Sequence, residues 1–152
     1  MANNTIALKG EYTRKEAEAS EAVTPGELVE FGGSNDIQKH STAGGNARAA
    51  FALENDLVGE GIDDDYDSGD RLQYGVFRQG AEVYALLATG AASAVSVSKG
   101  SPVESAGDGT VQNWATAAEA TPVEVDNLVG YALESVDNSA GGSEARIKIE
   151  VA

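Results

Sequence analysis

The residues able to do chemistry in this chain are few. A single histidine, His40, would have to serve any Ser-His-acid hydrolytic set, and it lies in the polar stretch Lys39-His40-Ser41-Thr42, which reads as a solvated surface loop. Cysteine is absent, which removes thiolate nucleophiles, disulfides and Cys-ligated zinc, and one histidine cannot supply a histidine pair for zinc. Gly44-Gly45 and Gly59-Glu60-Gly61 lack the lysine and the following helix of a phosphate-binding loop, so they read as turns. One acidic run stands out. Asp63, Asp65 and Asp67 alternate, Gly69 allows a sharp bend and Asp70 follows, a set of hard oxygen donors of the kind a divalent cation takes. A twelve-residue calcium loop begun at Asp63 or Asp65 would nevertheless place Tyr74 or Val76 where the bidentate glutamate is needed. The run is read as a solvated turn in which Asp63, Asp65, Asp67 and Asp70 are the candidate cation ligands. No catalytic residue and no cofactor is expected.

Composition narrows the function classes further. Over 152 residues, 25 acidic side chains oppose 10 basic ones and leave a formal charge of −15. The acids are spread along the chain, so they are not an appended tail. With no basic stripe to neutralise phosphates, a nucleic-acid binder is excluded, and a membrane-surface protein held by Lys and Arg is disfavoured on the same grounds. Met1 to Leu8 does not read as a signal peptide. The least polar stretch, Ala81 to Val97, is broken by Glu82, Thr89, Gly90, Ser93 and Ser96, too often for a membrane span. Alanine makes up 25 of the apolar residues, whereas Val, Leu, Ile and Phe together reach 31, a lean allotment for a core. Such a chain gains by burying surface against partner subunits or by living in concentrated salt, where its self-repulsion is screened.

The elements that must position these residues are short strands. Ala145, Ile147, Ile149 and Val151 alternate with Arg146, Lys148 and Glu150, which predicts a strand with one buried and one wet face. Residues 71–77 and 81–87 read as a hairpin joined across Arg78-Gln79-Gly80. Strands are also predicted over Glu27–Phe31, Ala47–Leu53, Ala94–Val97, Pro102–Ser105, Thr110–Trp114 and Val129–Ser135, with Asp108-Gly109 as a tight turn. About ten short strands without a long helix predict an all-β fold, a single small barrel or sandwich spanning 21–152. Residues 1–20 are predicted to form an extended N-terminal arm or edge strand, separable from a barrel that folds without it. Trp114 and the tyrosines Tyr12, Tyr66, Tyr74, Tyr84 and Tyr131 are read as core or core-edge residues, with interface anchoring as the alternative.

A series of segments in fixed order carries a resemblance. It runs from Thr24-Pro25-Gly26-Glu27-Leu28-Val29 through Gly61-Ile62-Asp63-Asp64-Asp65-Tyr66 and Gly69-Asp70-Arg71-Leu72-Gln73-Tyr74. It continues through Gly80–Leu87, Ser105–Gly109 and Val129–Glu134 to Ala145–Val151. The series resembles capsid decoration (cement) proteins, small virion structural proteins of tailed viruses, with an acidic cast like that of viruses of halophilic archaea. What the resemblance implies is a β-rich, non-enzymatic homotrimer on the outer surface of the capsid, bridging capsomers and stabilising the head. Its partners would be the major capsid protein and further copies of itself, with no nucleic acid and no membrane. Lys9, Tyr12, Arg14 and Lys15 would then be the capsid or subunit contacts. Alternative readings are a tail-tube, turret or fibre-base component, and a cation-dependent adhesion or carbohydrate-binding module.

Overall fold

The structure, a computed structural model, describes residues 3–114 and 127–152. These residues form β1 (Ala7–Lys9), β2 (Tyr12–Glu18), β3 (Val29–Phe31), β4 (Ile37–Lys39), β5 (Ala50–Ala52), β6 (Arg71–Phe77) and β7 (Glu82–Leu87). After one helical turn, α1 (Ala92–Val95), come β8 (Ser96–Val97), β9 (Pro102–Ser105), β10 (Val111–Asn113), β11 (Gly130–Ala132), β12 (Val136–Asp137) and β13 (Ala145–Val151). The all-β expectation holds. No helix among the described residues is long and apolar enough to cross a membrane.

The centre is a closed barrel of five strands. β7, β10, β9, β11 and β13 pair in that order and β13 returns to β7. The β7–β10 pair is parallel and the others are antiparallel. β13 follows its alternation: Ile147, Ile149 and Val151 point inward, where they meet Val83, Ala85, Leu87, Val103 and Val111. Closure leaves these strands no open edge for stray pairing. The Asp108-Gly109 turn forms as expected and folds β10 back on β9, with Ala106 N–H donating to Thr110 O at 2.9 Å.

A second, smaller core lies beside the barrel. β2, β6 and β5 form a three-stranded sheet and β3–β4 a hairpin, enclosing Ala19, Val29, Ile37, Ala50, Ala52, Tyr66, Leu72 and Tyr74. Small alanines at 50 and 52 let the hairpin close on the sheet. Phe51, on the other face of β5, packs into the barrel core, so one three-residue strand serves both clusters.

Three expectations are corrected. Residues 71–77 and 81–87 are strands, but they do not pair: β6 joins β2 and β5, whereas β7 closes the barrel. The turn at Arg78–Ala81 forms, yet Leu72 and Tyr74 belong to the small core and Val83, Ala85 and Leu87 to the barrel, so it redirects the chain between two layers. Residues 94–97 are not one strand. The Ala-rich start winds into α1, and only Ser96–Val97 is extended. Nor is the described part of residues 1–20 a detached arm. β1 lies along β7, and β2 pairs with β6 over its full seven residues, from Tyr12 opposite Phe77 to Glu18 opposite Arg71. Ile6 and Ala19 are fully buried. The edge-strand alternative is the one realised, because β6 needs a second neighbour to complete its ladder.

Candidate functional site

The barrel and its side sheet place the anticipated contact residues in two groups. Tyr12 and Arg14 share one face of β2, and Lys15 points from the other. Tyr12 stacks on Phe77 with ring centroids 5.0 Å apart. Arg14 donates to Asp56 Oδ1 at 2.7 Å and to Gln73 Oε1 at 3.3 Å. Lys9, on β1, reaches Glu82 at 3.6 Å. Tyr12 and Arg14 therefore converge, while Lys9 and Lys15 stand apart from them.

The turn that carries Asp56 continues into Leu57 and Val58, which are 75% and 68% exposed. With Tyr12, they make up three of the five large apolar side chains exposed among the described residues. Sequence reading misses this pair because the residues after Leu53 read as a polar loop running through Gly59 and Gly61. Only the pairing of Asp56 with Arg14 places the turn beside β2.

Two carboxylates of the acidic run are engaged within their own turns. Asp64 Oδ2 accepts from Gly61 N–H at 2.7 Å, and Asp70 Oδ2 accepts from Asp67 N–H at 2.8 Å, so these two carboxylates cap their own turns. Asp63 projects into solvent, 3.5 Å from Arg146. Among the described residues, no three acidic or histidine side chains are grouped as metal ligands. Tyr66, in the middle of the run, is buried and donates its hydroxyl to Leu53 O at 2.7 Å, and burial pushes its phenol up to about 12.

Arg146 holds this loop down. Strand alternation predicts it on the wet face, but its guanidinium donates to Pro25 O and Ile62 O, both at 2.6 Å, and lies over the Tyr84 ring. A planar fork can satisfy two carbonyls from separate loops at once.

His40 corrects another expectation, since it is buried and not a surface residue. Its Nε2 donates to Asn46 O at 2.9 Å, which leaves Nδ1 facing Ser105 Oγ at 2.7 Å. Ser105 Oγ also accepts from Gly107 N–H. Glu30 Oε2 lies 3.6 Å from Nε2. Burial acts to raise the Glu30 carboxyl, but hydrogen bonds from Ser41 and Gln38 outweigh it and hold the group below its ordinary value. A serine, a histidine and an acid are thus in reach of one another, as in a hydrolase. Ser105 is 0% exposed, however, so no substrate can reach its oxygen. The set ties β9 to the loops that follow β4.

Glu27 is an uncomfortable group. It is buried against Gly109, with Thr24 N–H at 2.9 Å as its partner, and burial raises its carboxyl to about 7. A carboxyl raised in the folded state binds its proton more tightly there than in the unfolded chain. Its contribution to stability is therefore retained below about pH 4.5 and lost as pH rises through about 7, at a cost near 3 kcal/mol. Glu27→Gln is expected to stabilise the protein by about 2 kcal/mol at pH 8 and by little at pH 5. Urea midpoints at the two pH values check this; a variant weakened at both would contradict it.

A closed five-stranded β-barrel with a three-stranded sheet at its side defines an all-β module. It superposes on the crystal structure of the head fiber gp8.5 N base of bacteriophage phi29 with a TM-score of 0.55 and 16% identity, over 93% of this chain and 95% of that one. The two share a fold. No protein-family model and no curated protein matches the sequence.

Proposed function

We propose that this chain is a non-enzymatic virion structural protein, the base domain of a head-fibre type of surface protein, seated on the outside of a tailed virus's capsid. The observation that carries this reading is the extent of the fold likeness: the match to a head-fibre base leaves little of either chain outside it. It favours the fibre-base reading over a cement protein proper. In this reading the partner is the major capsid protein, and a base that spans neighbouring capsomers would also stiffen them. The distributed acid supports an outward placement, because a net charge of −15 per copy keeps particles apart and suits concentrated salt. Tyr12 and Arg14, with Leu57 and Val58 beside them, form the contact face in this reading. Lys9 and Lys15 are secondary contacts, and copies gathered as a trimer would multiply weak attachment.

Immunogold labelling of purified particles of the encoding virus, with antibody raised against this chain, tests the assignment. Gold on the head surface is expected. Gold confined to the tail, or particles that lack the chain, would overturn it.

A further inference from the structure

We infer that the turn between β9 and β10, Ala106–Gly109, is a proton-operated flap that lies closed over the protonated Glu27 side chain and lifts when that carboxyl ionises. This goes beyond the virion reading and does not need it to hold. The turn is built to move as a unit. It is stitched within itself by Ala106 N–H to Thr110 O at 2.9 Å, Gly107 N–H to Ser105 Oγ at 3.1 Å and Thr110 N–H to Asp108 Oδ1 at 3.1 Å. Among the described residues, two backbone bonds tie it to other segments: Leu28 N–H donates to Gly109 O at 2.7 Å, and Gly109 N–H to His40 O at 3.2 Å. Gly109, at φ +86°, lies flat on Glu27, where an added Cβ would meet that side chain's Cβ at 3.1 Å and its Cγ and Cδ at 3.2 Å.

Beneath the flap, the buried Glu27 carboxyl accepts one hydrogen bond among the described residues, from Thr24 N–H at 2.9 Å. A neutral acid tolerates that setting, whereas a carboxylate there lacks the donors that would replace its water. Its charged neighbours do not make up the deficit. Lys39 on β4 favours the ionised form, while Glu144, just ahead of β13, and Asp65 oppose it. Arg146, from β13, directs its guanidinium to Pro25 O and Ile62 O, and Asp108, on the flap, accepts from Thr110. The His40 ring is turned to Ser105 and Asn46, and β5 carries no titratable side chain. Burial is therefore the dominant influence and raises the carboxyl to about 7. The Glu27 backbone is fixed to β5, since Ala52 N–H donates to Glu27 O at 2.9 Å and Gly26 N–H to Ala52 O at 2.8 Å. The charge reaches water past Gly109, where only the two flap bonds have to break. Below about pH 4.5 the carboxyl is protonated whether the flap is open or shut, so the flap stays closed; opening grows as pH rises and levels off above about 7.

Amide hydrogen exchange of the full chain at pH 5 and pH 8, corrected for the intrinsic exchange rate, tests the flap. The probes are the N–H groups of Leu28 and Gly109, with Val151 N–H, bonded to Ala81 O at 2.8 Å, as the barrel reference. With the Glu27 carboxyl at its ordinary 4.5 when uncovered and about 7 when covered, the opening constant of both probes is expected to rise about 70-fold between pH 5 and pH 8. Low urea should speed exchange at Val151 and leave the two probes unchanged, because lifting a short turn exposes little surface. Glu27→Gln, neutral at both pH values, should hold the probes at their pH 5 protection. Gly109→Ala, whose Cβ would press on Glu27, should loosen them already at pH 5. Probes that exchange at the rate and with the urea dependence of Val151 would overturn the inference, because the charge would then be relieved only by unfolding the whole domain. A pH response that survives Glu27→Gln, or a Gly109→Ala protein as protected at pH 5 as the unaltered chain, would overturn it equally.

Discussion

Removing residues 1–20 is expected to give a chain with no cooperative unfolding transition. β2 would be lost from β6 along all seven paired residues, and β6 would become an edge with Leu72 and Tyr74 uncovered. Ile6 goes with it. That side chain is fully buried in the barrel core, its N–H donates to Glu54 at 3.1 Å, and its carbonyl accepts from Tyr84 N–H at 2.8 Å. Truncating one buried Ile to Ala costs about 2–5 kcal/mol, and a domain holds only about 5–15 kcal/mol in all. Losing a strand, a barrel residue and Ala19 together exceeds that margin. Near-ultraviolet circular dichroism and a urea titration would show it. A truncated chain that unfolds cooperatively, within about 1 kcal/mol of the full protein, would show the segment to be the separable arm its polar composition predicts.

The next largest effect is expected at Arg146. Arg146→Ala leaves Pro25 O and Ile62 O without their donor and releases the acidic loop from the barrel. Hydrogen bonds to a charged group are worth about 1.5–3 kcal/mol each, and the two share one side chain, so a loss of about 3 kcal/mol is expected. Arg146→Lys keeps the charge without the fork and should recover less than half of this. The shift in urea midpoint measures both. A loss below about 1 kcal/mol for the alanine variant would mean that water replaces the guanidinium without cost.

Regular alternation makes β13 legible from its residues alone. Ile147, Ile149 and Val151 can face only one way, and a strand patterned so cleanly must line a core. The Asp108-Gly109 turn is equally plain, because its chemistry is local. The β6–β7 relation is not, because a turn signal marks where a chain bends and says nothing about which distant strand each arm will meet. The first twenty residues mislead for a related reason. β2 is exposed almost throughout, so its sequence carries no buried stripe, and what holds it is backbone pairing, which no side-chain pattern records. His40 and Glu27 are buried in polar company, His40 against Ser105 and Glu27 against Gly109, and both contacts are long-range. Of the four anticipated contacts, Tyr12 and Arg14 converge because strand alternation puts them on one face, a relation available from sequence once that segment is taken as extended. Leu57 and Val58 are hidden by the same limit as the β6–β7 relation: nothing local to residues 56–58 points to Arg14.

These features fit one physical picture. A closed barrel and an acidic chain fit the proposed module, one that stands on the outside of a capsid. The five barrel strands pair round to closure, so the barrel itself needs no partner to finish its hydrogen bonding. Electron cryomicroscopy of the encoding virus, comparing intact particles with particles lacking this chain, tests the central claim most directly. The account predicts density for the five-stranded barrel on the outer face of the head, lost in the deletion. An unchanged head surface in the two maps would contradict it.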